Sequence, residues 1–134
     1  LTLAHYESFR GCPSLGRLRQ RLEAEHPFEI QNGIHLLVSQ TRLGELTLGD
    51  SHHSAQTVDP FDREDVATAI AQGIRRFARF PSWTITERWH GIYAKSPDGP
   101  WFLREPLPGV TILNGLGGGG MTLSFALAEK LAVQ

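Results

Sequence analysis

VTILNGLGGGGMTLSFALAEKL, residues Val110–Leu131, is the stretch on which the fold of this chain turns. It reads as a β-branched run, five glycines within positions 115–120, and then an apolar helical stretch. Gly115-x-Gly117-x-x-Gly120 satisfies the dinucleotide fingerprint, in which glycines let backbone approach a pyrophosphate at a helix N-terminus. Only 14 residues follow Gly120. A dinucleotide-binding βαβ unit needs a second strand and an acidic residue about 20 positions downstream. Neither has room, so a doubly wound parallel sheet is excluded as the home of this loop.

Working outward, the rest of the chain supports a different class. Ser14 is placed to cap a helix with Leu15, Leu18 and Leu22 on its apolar face, Arg17, Arg19, Arg21 and Glu23 on its wet side, and Pro27 as its stop. Ile34–Gln40 reads as a buried strand, TRLG as a turn, and Glu45–Asp50 as the return strand of a hairpin. A polar loop of about a dozen residues follows, a length that is often functional. Asp62 is a candidate N-cap for a helix carrying Val66, Ile70, Ile74 and Phe77, closed by Pro81. Trp83–Lys95 is β-branched and aromatic and reads as a long strand. Two short strands, the glycines and a helix over Met121–Val133 complete the order α-β-β-α-β-β-β-α. That order predicts an α+β fold, an antiparallel or mixed sheet with helices on one face. The final helix is apolar nearly all round and needs covering on most sides.

Composition limits the function classes. A length of 134 residues is one domain's worth, and 40% hydrophobic with 20% charged residues suits a globular chain. A net charge of −1 without a basic stripe argues against nucleic acid. No apolar run approaches the ~20 residues of a membrane span. The single Cys12 excludes an internal disulfide, and with no signal peptide visible a cytoplasmic setting is expected. The chain opens on Leu1 and mid-pattern, so a fragment of a longer polypeptide is expected.

Three stretches carry candidate chemistry. A tight strand-to-helix turn accounts for some of the glycines by relief of strain, but five exceed what one turn needs. A loop bare of side chains at a helix N-terminus offers N–H donors and partial positive charge to a flat or anionic ligand. The second stretch is GDSHHS, Gly49–Ser54. Neighbouring histidines on a strand point to opposite faces, and no metal-ligand spacing is present, so no metal site is expected. A polar strand end facing a pocket and a surface without a role remain the two readings. The third is ERWHGIYAK, Glu87–Lys95. Strand alternation would put Trp89, Gly91, Tyr93 and Lys95 on one face and Arg88, His90 and Ile92 on the other. That face is either ordinary sheet packing or a pocket floor.

Taken in order, GDSHHS, RWHGIYAKSPDG and the glycine stretch resemble the C-terminal part of the D-amino-acid-oxidase-like FAD-dependent oxidoreductases, the family of glycine and sarcosine oxidase. The resemblance covers residues 34–134, and within the family it is closest to a subgroup associated with aminophosphonate breakdown. It implies FAD as cofactor, with the nucleotide half held on an N-terminal domain outside this chain. Residues 1–113 would be a partial substrate domain and 114–134 the flavin-contacting loop and helix. Leu116, Gly117, Gly118, Gly119, Gly120, Met121 and Thr122 would meet the isoalloxazine edge.

The implied reaction is oxidative deamination of a small amine or amino-acid-like substrate, with the resulting imine hydrolysed by water and no catalytic base assigned. This chain alone would be inactive. The family's pattern Trp-x-Gly-x-Arg-Pro has an Arg that clamps a substrate carboxylate; counted from Trp89, that position is Tyr93. A second family Arg, in the final loop, falls at Gly118. A phenol cannot replace a bidentate guanidinium. A different anion is therefore expected, with Lys95, His52, His53, Arg88 and Tyr93 as candidate partners. A homo-oligomer is a further expectation. The competing reading is a stand-alone anion- or nucleotide-binding α+β module without catalysis.

Overall fold

The computed structural model describes residues 1–5, 9 and 11–132. The chain forms two compact units, Leu1–Trp89 and His90–Gln134. The expected division at residue 113 separates substrate-facing from flavin-facing residues, whereas this one follows compactness.

In the first unit a short helix α1 (Thr2–His5) precedes α2 (Leu15–Glu25). Leu15, Leu18 and Leu22 are the half-buried residues of α2, as their spacing predicts. On its exposed side Arg19 and Arg21 pair with Glu23 and Glu25 at 3.0 and 2.9 Å. Exposed pairs at this spacing contribute little to stability, because solvent screens both charges. Ser14 does not cap α2. Its backbone is already helical and its side chain makes no capping bond. Pro27 ends α2 and also starts α3 (Pro27–Gln31), because the first helical position does not need an N–H.

Strands β1 (His35–Gln40) and β2 (Leu46–Asp50) form the expected antiparallel hairpin. The TRLG turn closes through Thr41 N–H to the Glu45 carbonyl and Gly44 N–H to the Thr41 carbonyl. β1 is buried only at its start, not along its length. An isolated hairpin is marginal in water and needs a packed face. Helix α4 (Glu64–Arg75) supplies it. Val66 and Ile74 of α4 are buried, and Ile74 and Ile34 are fully enclosed at 0% exposure.

Two glycines set how closely helix and hairpin approach. A Cβ on Gly73 of α4 would lie 2.8 Å from the Leu36 methyls of β1. A Cβ on Gly49 of β2 would overlap the Ile70 side chain of α4 and lie 2.9 Å from the His35 carbonyl oxygen. Two features of α4 differ from expectation. Its N-cap is Arg63, not Asp62, and Asp65 accepts the Val66 N–H instead. Phe77 lies beyond the last helical residue and is exposed, so the 3.6-residue period no longer carries it to the core.

The second unit departs from expectation at its start. Residues 83–94 form no strand, and only Lys95 makes a bridge, to Leu116. β propensity does not make a strand without a neighbouring edge to pair with. The alternation of faces inferred for Arg88–Lys95 is therefore withdrawn. β3 (Phe102–Leu107) and β4 (Val110–Asn114) form an antiparallel hairpin around the Pro108–Gly109 turn. A 3-10 turn at Gly117–Gly119 leads into α5 (Gly120–Ala132). None of the described residues of α5 is buried, and Met121 and Phe125 are 94% and 83% exposed. The class is α+β with antiparallel pairing, as expected; among the described residues the two hairpins are separate two-stranded sheets.

Ile74→Ala is expected to cost about 2–5 kcal/mol, the range for large-to-small changes at enclosed sites. Met121→Ala is expected to stay within about 0.5 kcal/mol. Urea denaturation of both variants beside the parent chain checks the contrast.

Candidate functional site

Each unit holds one group of polar or ligand-facing residues. In the second unit the group is built on the glycine stretch. The backbone of Ala94–Ser96 is zipped to it: Gly117 N–H donates to the Ala94 carbonyl at 3.2 Å, and Ser96 N–H donates to the Gly115 carbonyl at 3.0 Å. Lys95 and Leu116 form the antiparallel bridge between these bonds. Gly115 adopts φ +75°, and a Cβ there would lie 3.0 Å from the Ser96 backbone nitrogen and 3.1 Å from the Phe102 ring. The tight strand-to-helix turn thus explains Gly115. Gly118 lies exposed at the surface.

This pairing brings two sequence motifs together. Lys95 sits beside Leu116 and Gly117, with exposed Tyr93 two residues away on the same segment. Residues 117–120 present backbone only, and α5 starts at Gly120. The first N–H groups of a helix point out of its N-terminus with partial positive charge. Within the stretch Gly119 N–H donates to the Leu116 carbonyl and Gly120 N–H to the Gly117 carbonyl, so what it presents outward is bare peptide backbone and the positive end of α5.

In the first unit the group centres on Asp50 at the end of β2. His35 Nδ1 lies 3.2 Å from Asp50 Oδ1, and His52 Nε2 lies 3.4 Å from Asp50 Oδ2. The His35 and His52 rings are 4.7 Å apart, and His5 stacks on His35 at 5.0 Å. His5 Nε2 donates to the Ile30 carbonyl at 3.3 Å. Gly33 makes room for this arrangement, since a Cβ there would lie 2.8 Å from the His52 carbonyl oxygen. Burial is the main reason that the His35 pKa is lowered; the Asp50 carboxylate opposes it, and His52 and His5 reinforce it. Burial likewise lowers His5, against its bond to Ile30.

The sequence-derived candidates fall in both units. Tyr93, Lys95 and Leu116–Thr122 share the second. His52, His53 and Arg88 belong to the first. Arg88 pairs with Glu64 at 3.3 Å and lines a cleft of about 360 Å³ with Ala67, Ala71 and Ile85. His53 lies in the exposed loop after β2. His35 and His5 were not read as site residues from sequence. No sequence signal marks His35, because only the register shift between His35 and Val38 sets it opposite Asp50.

A family model described as FAD dependent oxidoreductase matches residues 9–134. The chain belongs to that family. FAD is accordingly its cofactor, and the match embraces both the histidine group around Asp50 and the glycine stretch. No curated protein and no solved structure matches the chain significantly. No helix among the described residues is long and apolar enough to cross a membrane. The described residues hold two two-stranded antiparallel sheets and no βαβ unit.

Gly115→Ala is expected to force a left-handed alanine, costing about 1–2 kcal/mol, and to push Ser96 away. Hydrogen exchange at the Ser96 and Gly117 amides should accelerate. Gly91→Ala, with nothing within 4 Å of its added Cβ, should leave both amides unchanged.

Proposed function

We propose that the chain is the substrate-side portion of an FAD-dependent oxidoreductase that oxidises a small amine carrying an anionic group, an aminophosphonate being the best fit. The observation that carries this reading is the pairing of Ala94–Ser96 with Gly115–Gly117, which sets Lys95 next to the glycine surface, with Tyr93 two residues before it in the chain. Leu116, Gly117, Gly118, Gly119, Gly120, Met121 and Thr122 would hold the isoalloxazine edge. When bound, the flavin supplies the two-electron oxidation, and the protein supplies position and electrostatics. Backbone donors at the start of α5 favour negative charge on the ring edge they face. Lys95 offers a compact point charge, which suits a phosphonate as well as a carboxylate. Tyr93 adds a hydroxyl at a position where the family resemblance leads one to expect a guanidinium. His52, His53 and Arg88 are further candidates for the substrate anion. The nucleotide half of FAD would be held by a dinucleotide-binding domain of the intact polypeptide.

In the intact polypeptide, Lys95→Met is expected to lower kcat/KM for an anionic amine by about ten- to a hundredfold, the loss of one charge-assisted hydrogen bond. Flavin content should be unchanged. Tyr93→Phe should likewise impair turnover more than flavin content. A panel of aminophosphonates against glycine and sarcosine tests the substrate class, and equal turnover across the panel would remove the phosphonate. Intact protein without flavin absorbance that still binds anions would favour a non-catalytic binding module.

A further inference from the structure

The glycine stretch belongs to the second unit and the Asp50 group to the first. Its donors are two imidazoles and one carboxylate, and their ligand atoms all lie within 4.8 Å of one another. Imidazole with carboxylate is the donor set of zinc and its neighbours rather than of magnesium or calcium. We propose that His35, Asp50 and His52 form a binding site for a divalent transition metal of the Zn²⁺ class, with one coordination position left open.

The distances fit. Zinc–ligand bonds of about 2.0–2.2 Å at the tetrahedral angle put ligand atoms about 3.3–3.6 Å apart. The two separations from Asp50 are 3.2 and 3.4 Å, one on each carboxylate oxygen. Both imidazoles therefore already stand at close to ligand spacing from the same carboxylate. His35 is anchored, at 2% side-chain exposure, whereas Asp50 and His52 are 45% and 38% exposed. An ion can thus reach the group from solvent.

The backbone is built for the approach. A break in the hairpin register, between His35 and Val38, brings His35 opposite Asp50. The absent side chain of Gly33 lets the His52 backbone close on the residue before Ile34. His5, stacked on the His35 ring, covers it. The expectation of no metal rested on His52 and His53 pointing apart. That argument concerns neighbours in sequence, whereas the second imidazole comes from across the hairpin. Three protein ligands leave a position for water or another oxygen donor, the arrangement of open zinc sites.

The test titrates the whole chain with Zn²⁺ alone by calorimetry at neutral pH, with Mg²⁺ as the comparison. One equivalent of Zn²⁺ should bind, Mg²⁺ should not compete, and Co²⁺ should give the intense visible absorption of a tetrahedral site. Asp50→Asn and His52→Ala, both at exposed positions, should each weaken Zn²⁺ by at least about 10–100-fold, with unchanged circular dichroism. His53→Ala should leave the affinity as it was. Absence of saturable binding overturns the site, as does binding that survives both Asp50→Asn and His52→Ala. These readouts are Zn²⁺ affinities taken without flavin or amine, so their failure is distinguishable from failure of the oxidoreductase reading.

Discussion

The first unit depends on one constraint: α4 must come close enough to the β1–β2 hairpin for Ile74 and Ile34 to leave water completely. Two missing side chains permit it, one from each partner. Gly73 admits Leu36, and Gly49 admits Ile70. A two-stranded hairpin does not persist alone, so the hairpin's order follows from that approach. The position of Asp50 follows in turn, because it ends the strand that Gly49 brings against the helix. The histidine group is thus a consequence of helix–hairpin packing and not an independent loop feature.

The second unit is organised by backbone rather than by a core. The bonds from Ser96 and Gly117 fasten an otherwise irregular segment to the glycine stretch. They bring the Lys95 cation beside a surface of bare peptide groups. The α5 helix that follows has no fully buried residue, and only Ser124, Leu127 and Leu131 beyond its first residue are half-buried. Membership of the FAD-dependent oxidoreductase family gives this surface a chemical context.

Much of the fold was legible in the sequence where one local rule was enough. The 3.6-residue period of Val66, Ile70 and Ile74 located α4, and the TRLG turn between alternating runs located the first hairpin. Reading failed where a rule needed a partner. Trp83–Lys95 has strand composition, but among the described residues only Lys95 finds an edge to pair with. Phe77 continues the helical period, but the helix has already stopped. Of the site, the glycine stretch was visible from its letters, because glycine is costly unless backbone conformation or close approach requires it.

The sequence by itself determined the α+β class, the hairpins, the long helices and the family. Those follow from residue type and short-range spacing, which act within one element. Tertiary structure alone decided the histidine group. Extending the pairs Gln40–Leu46, Ser39–Thr47 and Val38–Leu48 would set Leu36 opposite Asp50. The irregularity in β1 shifts the partner to His35. A one-residue slip changes which side chain meets the carboxylate, and register is set by packing and strand geometry together. His5 arrives from the first helix to stack on the same ring, a contact that no local spacing encodes.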